Sequence, residues 1–147
     1  MTSVEVLAGC RVIVELPVAD ADDLIAAGEL LIQEHLDCWT VPYARRDELA
    51  ALRAVFGRRV RLGVADLRDT GQVERALAAG PDLLLSPFAT AALVAAAADT
   101  PLVLGGLTPS ELSAALRFGT AAVQPIVHYG NPRSRRLKIR SEERRVG

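Results

Sequence analysis

Five polar side chains stand at the ends of short apolar runs: Glu15 in RVIVEL, Thr40 in CWTV, Asp66 after RLGVA, Ser86 in DLLLS and Gln124 in TAAVQ. In parallel α/β proteins the C-terminal end of a strand is where reactive groups gather, because the strand buries its body and presents its end to a crevice. Glu15 and Asp66 are two carboxylates that can act as base and acid. Thr40, Ser86 and Gln124 offer neutral hydrogen bonds. Each has a plainer use too, and Asp66 and Ser86 precede helical segments that they can cap. A shared pocket of these five residues is therefore an expectation, with Arg45 beside it as a guanidinium for a bound carboxylate.

Other chemistry is harder to support. A Schiff base needs a primary amine that can be neutral near pH 7, and arginine stays charged up to a pKa of about 12. The sole lysine is Lys138, in a basic segment outside every predicted strand, where nothing desolvates it. Imine formation by a buried strand lysine is excluded on this reading. His35 and His128 are the only histidines, and Glu15, Asp66 and His128 make a poor ligand set, so no metal and no other cofactor is expected. Cys10 and Cys38 lack metal-ligand spacing and read as buried thiols rather than a bridge.

The elements that must position these residues repeat every 20 to 25 residues. The clearest unit is PLVLGGLTPSELSAALRFGTAAVQ, residues 101–124. An apolar strand ends at Gly105-Gly106, two residues free to take positive φ. Thr108-Pro109-Ser110-Glu111 reads as a capping box with proline at the first helical position, Leu107 and Leu112 stand at hydrophobic-staple spacing, and Gly119 closes the helix. The rest of the chain predicts strands at 11–16, 38–41, 59–64 and 82–86. Helices are predicted after the acidic cluster Asp20, Asp22 and Asp23, and at 47–56, 70–79 and 89–98. The last of these is apolar nearly all round and is expected to be buried, whereas Arg58, Arg59 and Arg61 read as a solvated edge. Six strands with five intervening helices suit a (β/α) barrel or a doubly wound sheet. The dinucleotide fingerprint is missing after the first strand, where Pro17-Val18-Ala19-Asp20 stands, which favours the barrel. A full barrel takes eight strands and about 250 residues, so this one is read as unfinished.

Gly63 in RLGVADL, Ala79-Gly80 followed by LLLSPF, Gly105 with Thr108-Pro109-Ser110-Glu111, and Ala114, Ala115, Leu116 and Gly119 running into Ala122-Val123-Gln124-Pro125 occur in a telling order. By them, residues 11–125 resemble the 2-keto-3-deoxy-6-phosphogluconate/4-hydroxy-2-oxoglutarate (KDPG/KHG) aldolase family. The resemblance implies an α/β fold, a partial aldolase-type (β/α)8 TIM barrel of about six βα units out of eight. It implies kinship with lyases of carbohydrate metabolism that cleave 2-keto-3-deoxy acids to pyruvate and an aldehyde, through a lysine on the sixth strand. It also implies substitutions at the working positions. The family's second-strand glutamate falls on Thr40, its carboxylate-binding arginine on Ala44 next to Arg45 and Arg46, its third-strand threonine on Asp66, and its Schiff-base lysine on Gln124. The phosphate-binding glycines of later strands would lie beyond residue 147. Catalysis is thus read as lost in this chain. Alternatives are a non-catalytic barrel binding a small oxoacid or a protein, and a sugar-phosphate isomerase or epimerase using Asp66 with Glu15.

Charge divides the chain unevenly. Residues 133–147 hold six arginines, one lysine and two glutamates, whereas the rest is acidic. The domain is assigned to residues 1–130 and a basic tail to 131–147, either disordered or artefactual. RSEERRVG can be written AGA TCG GAA GAG CGT CGT GTA GGG, which matches a common sequencing-library adapter. No apolar run approaches the roughly 18 residues of a membrane span, and no signal-peptide pattern opens the chain. A cytoplasmic protein without nucleic-acid or membrane partners is expected. Strands one and six would be unpaired edges, so a homo-oligomer or an aggregation-prone fragment is expected too.

Overall fold

The computed structural model describes residues 6–10, 12–88 and 90–125. His128, Lys138 and the 131–147 tail lie outside the described residues. Six strands form one sheet: β1 (Val14–Glu15), β2 (Cys38–Pro42), β3 (Arg61–Ala65), β4 (Leu83–Ser86), β5 (Leu102–Gly106) and β6 (Ala122–Pro125). Between them run α1 (Ala21–Gln33), α2 (Leu49–Phe56), α3 (Thr70–Leu77), α4 (Ala91–Ala97) and α5 (Pro109–Arg117). Every pairing is parallel and the spatial order is the sequence order, β1 to β6. A doubly wound sheet reverses its strand order at a switch point. With no reversal, right-handed crossovers set every helix on one face and the sheet curls around the other. The result is a curled half-barrel. Ile13 and Glu15 at one edge and Ala122 and Gln124 at the other line the same cavity, which only a curled sheet allows.

Alternation along the strands sorts the side chains. Trp39 and Val41 on β2, Leu62 and Val64 on β3, Leu84 on β4, and Leu102 and Leu104 on β5 face the helices, where they meet Leu24, Leu52, Phe56, Val73 and Leu93. Trp39 and Phe56 pack edge to face with ring centroids 5.0 Å apart. Gly28 on α1 makes that contact possible, because a Cβ there would lie 2.7 Å from the Phe56 ring and 2.8 Å from Trp39. The inner face carries Cys38, Ala65, Leu83, Leu85 and Val103, with Cys10, Ile13 and Ala122 packed against them.

Helix starts follow the sequence, with two corrections. Asp20 caps α1, and Thr108 with Glu111 forms the complete capping box of α5. The caps of α3 and α4, however, are Asp69 and Thr90 rather than Asp66 and Ser86. The strand β5 does end at Gly105-Gly106, its last two residues, but neither is among the positive-φ glycines. Gly106 instead admits α5, since a Cβ there would come within 3.1 Å of Glu111 and Leu112. Leu107 stays largely exposed. The α4 segment is not buried all round; Leu93 and Ala97 are its buried residues while Ala91, Ala92 and Ala95 face out, because a seven-residue helix against a sheet covers one stripe and alanine exposes little apolar area. Residues 43–48 form a 3-10 segment with a kink at Arg45 before α2 begins. No helix among the described residues is long and apolar enough to cross a membrane.

Candidate functional site

The inner face holds a cavity of about 360 Å³. Its apolar wall comes from Ile13, Leu85, Val103 and Ala122, and its polar groups are Glu15, Gln124 and Cys10. The strand ladder explains the grouping. Glu15, Thr40 and Gly63 stand opposite one another across β1, β2 and β3, and Gln124 stands opposite Gly105 across β6 and β5. Gly63 is forced by closeness, since a Cβ would lie 2.6 Å from the Leu83 carbonyl oxygen. Glycines in both rows leave room beside the polar side chains.

Thr40 is wholly buried, and its Oγ1 has no hydrogen-bond partner among the described residues. An orphaned buried hydroxyl is uncommon and costs about 1–3 kcal/mol. Glu15 and Gln124, by contrast, are exposed within the open cavity. These two are the expected pocket residues that the cavity brings together.

The other candidates stand elsewhere. Alternation turns Ser86 to the helix side with Leu84, where its hydroxyl donates to the Leu67 carbonyl at 2.5 Å and accepts from the Phe88 N–H at 3.1 Å, tying the loops after β3 and β4. Asp66 follows β3 in a left-handed conformation, φ 60°, and pairs with the Arg68 guanidinium at 3.1 Å in solvent. It is not a cavity residue, so the Glu15 and Asp66 acid-base pair is not assembled there. Arg45 lies 3.6 Å from Glu48 on the same 3-10 segment, and Arg46 stacks over the Tyr43 ring at 4.3 Å while donating to the Tyr43 carbonyl. Tyr43 also accepts from Arg75 through its hydroxyl at 2.7 Å, which raises the Arg75 pKa.

Two groups were missed. Arg61 is half-buried on the inner face rather than part of a solvated edge, and its Nη1 lies 2.7 Å from Cys10 Sγ. Its signal was in RLGVA: Arg61 shares the alternation of Gly63 and Ala65, both inner-face residues. Cys38 stands opposite Arg61 in the ladder, and burial, then the Cys10 side chain, push its thiol pKa far up. Asp82 opens the strand that the sequence predicts at 82–86. Its carboxylate takes the Arg53 guanidinium at 2.7 Å and the Leu62 N–H at 2.9 Å, pinning α2 to the start of β3.

Neither a family model nor a curated protein matches this sequence. Solved structures do. A native KDPGal structure superposes with a TM-score of 0.72 at 19% identity, covering 79% of this chain and 59% of its own. A KDPG aldolase from Legionella pneumophila, with pyruvate captured as a covalent carbinolamine, gives a TM-score of 0.67 at 23% identity, covering 81% and 60%. These two share the fold. The present chain thus spans about 60% of the length of the solved structures it matches. Sequence agreement is higher with a 4-hydroxy-2-oxoglutarate/2-dehydro-3-deoxyphosphogluconate aldolase, at 30% identity over 84% of this chain and 62% of that one, with a TM-score of 0.68. Sequential parallel strands alone would fit many barrels, but joined to that identity and to the ordered motifs from Gly63 to Pro125 they make this chain similar to the KDPG/KHG aldolases.

Proposed function

We propose that this chain is a member of the family that binds a small hydroxyl- or carbonyl-bearing molecule without forming a Schiff base. The observation that carries the reading is Gln124 lining the inner cavity together with Glu15. A carboxamide nitrogen, its lone pair delocalised, does not condense with a keto group, whereas it donates well to a carbonyl or hydroxyl oxygen. Glu15 in turn accepts from ligand hydroxyls. A ligand carboxylate inside the cavity would face the Glu15 carboxylate, and Arg45 and Arg46 are engaged with Glu48 and Tyr43. The charge arrangement therefore favours a neutral ligand over a free oxoacid, and binding over the lyase reaction of the full-length relatives. The binding domain is taken as residues 1–130, with 131–147 an appendage.

Borohydride reduction in the presence of pyruvate, followed by peptide mass mapping, should leave residues 1–132 without an adduct; a covalent adduct there overturns the non-covalent reading. Calorimetry with dihydroxyacetone as a neutral probe should show binding that Glu15→Ala and Gln124→Ala each abolish. Pyruvate binding as tightly as dihydroxyacetone would overturn the charge argument.

A further inference from the structure

The chain has two cysteines, and the fold brings them to one place. Cys10 belongs to the segment before β1 and Cys38 opens β2, yet Cys10 packs against the inner-face cluster that contains Cys38. Both thiols are free. The third member of the group is Arg61, opposite Cys38 in the ladder and donating to Cys10 Sγ at 2.7 Å. Cys10 lines the cavity and is half-exposed, whereas Cys38 is wholly buried. The pair therefore has one sulfur that a small reagent can reach and one that it cannot.

We propose that Cys10 and Cys38 form a thiol pair that a low-molecular-weight disulfide oxidises to an internal disulfide, closing the segment before β1 onto β2 in the floor of the cavity. Cys10 thiolate attacks one sulfur of the small disulfide, forming a mixed disulfide and releasing one small thiolate. Cys38 then loses its proton to solvent and attacks the Cys10 sulfur, and the bond from Cys10 to the small thiol breaks as the second small thiolate leaves. Two protein thiols are oxidised and one small disulfide is reduced to two thiols. Arg61 holds the Cys10 sulfur at the mouth of this step by a charge-assisted contact. Burial, then the Cys10 side chain and Asp37, hold the Cys38 thiol pKa up, with Arg61 acting in the opposite sense, so ring closure quickens as pH rises.

The inference does not depend on what the cavity binds. Full-length protein is incubated with glutathione disulfide, quenched in acid, unfolded, alkylated and weighed. The expected product has lost two hydrogen atoms, takes up no alkylating reagent, and yields one peptide linking Cys10 to Cys38. Cys38→Ala should instead stop at a single mixed disulfide on Cys10, and Cys10→Ser should leave Cys38 free. Two alkylated thiols in the treated wild type, a mixed disulfide on Cys10 that does not close, or a disulfide between chains would each overturn the proposal.

Discussion

The two faces of the sheet are built to different standards. On the helix side, Trp39, Phe56 and Leu24 are close-packed over Gly28, and the one polar atom in that group is satisfied, since Trp39 Nε1 donates to the Leu36 carbonyl at 2.6 Å. On the inner side, the residues are smaller, a cavity remains, and Thr40 Oγ1 is buried without a partner among the described residues. Dense apolar packing is where folding free energy comes from, whereas room, polarity and an orphaned donor are what a ligand site needs. In this chain the helix face carries the dense packing and the inner face the open, polar-lined cavity.

The comparison is broken most directly by removing the largest side chain of the helix face. Trp39→Ala should destabilise by about 3–5 kcal/mol, because the Phe56 ring loses its edge-to-face partner and a cavity opens between α1 and α2. Leu85→Ala, on a wall already open to the inner cavity, should cost about 2 kcal/mol. Urea unfolding of the two variants decides it; equal losses would mean that both faces carry the fold alike.

Association is the next effect. Among the described residues, β1 and β6 each pair on one side only. Unpaired parallel edges with apolar neighbours such as Val14 and Val123 template strand addition. The protein should therefore elute in size-exclusion chromatography above the 15.7 kDa of one chain. Deleting residues 133–147 should leave that unchanged. A monomer that melts cooperatively would show that six strands suffice without a partner.

Much of the fold was legible because its signals are local. The capping box from Thr108 to Glu111 and the glycine at position 119 act within one turn of helix, and they appear as read. Strand order was legible only as a choice between two architectures, since order is set by crossovers that no local pattern records. The site was legible in part. Glu15 and Gln124 stand at strand ends and face inward, but Ser86 stands at a strand end and faces the helices, because one residue of register decides the face. Arg61 was missed for a related reason: a charged residue at the start of a strand reads as solvent-facing unless the small residues two and four places on are taken as the inner row.

The smallest expected effect tests the inner face itself. Thr40 lost its water on folding and gained no hydrogen bond among the described residues, so its hydroxyl opposes the fold. Thr40→Val keeps the branched shape and removes the oxygen, which should stabilise the protein by about 1 kcal/mol, a gain where the same change at a satisfied hydroxyl is a loss. Thr40→Ser keeps the oxygen and removes a methyl group, and should destabilise by about 1 kcal/mol. Equilibrium unfolding of both variants gives the sign. Opposite signs would confine the defect to the hydroxyl and make Thr40 a residue the inner face retains against its own stability. A loss in both would mean that the Thr40 hydroxyl finds a partner in solution, and the contrast between the two faces would then rest on the cavity alone.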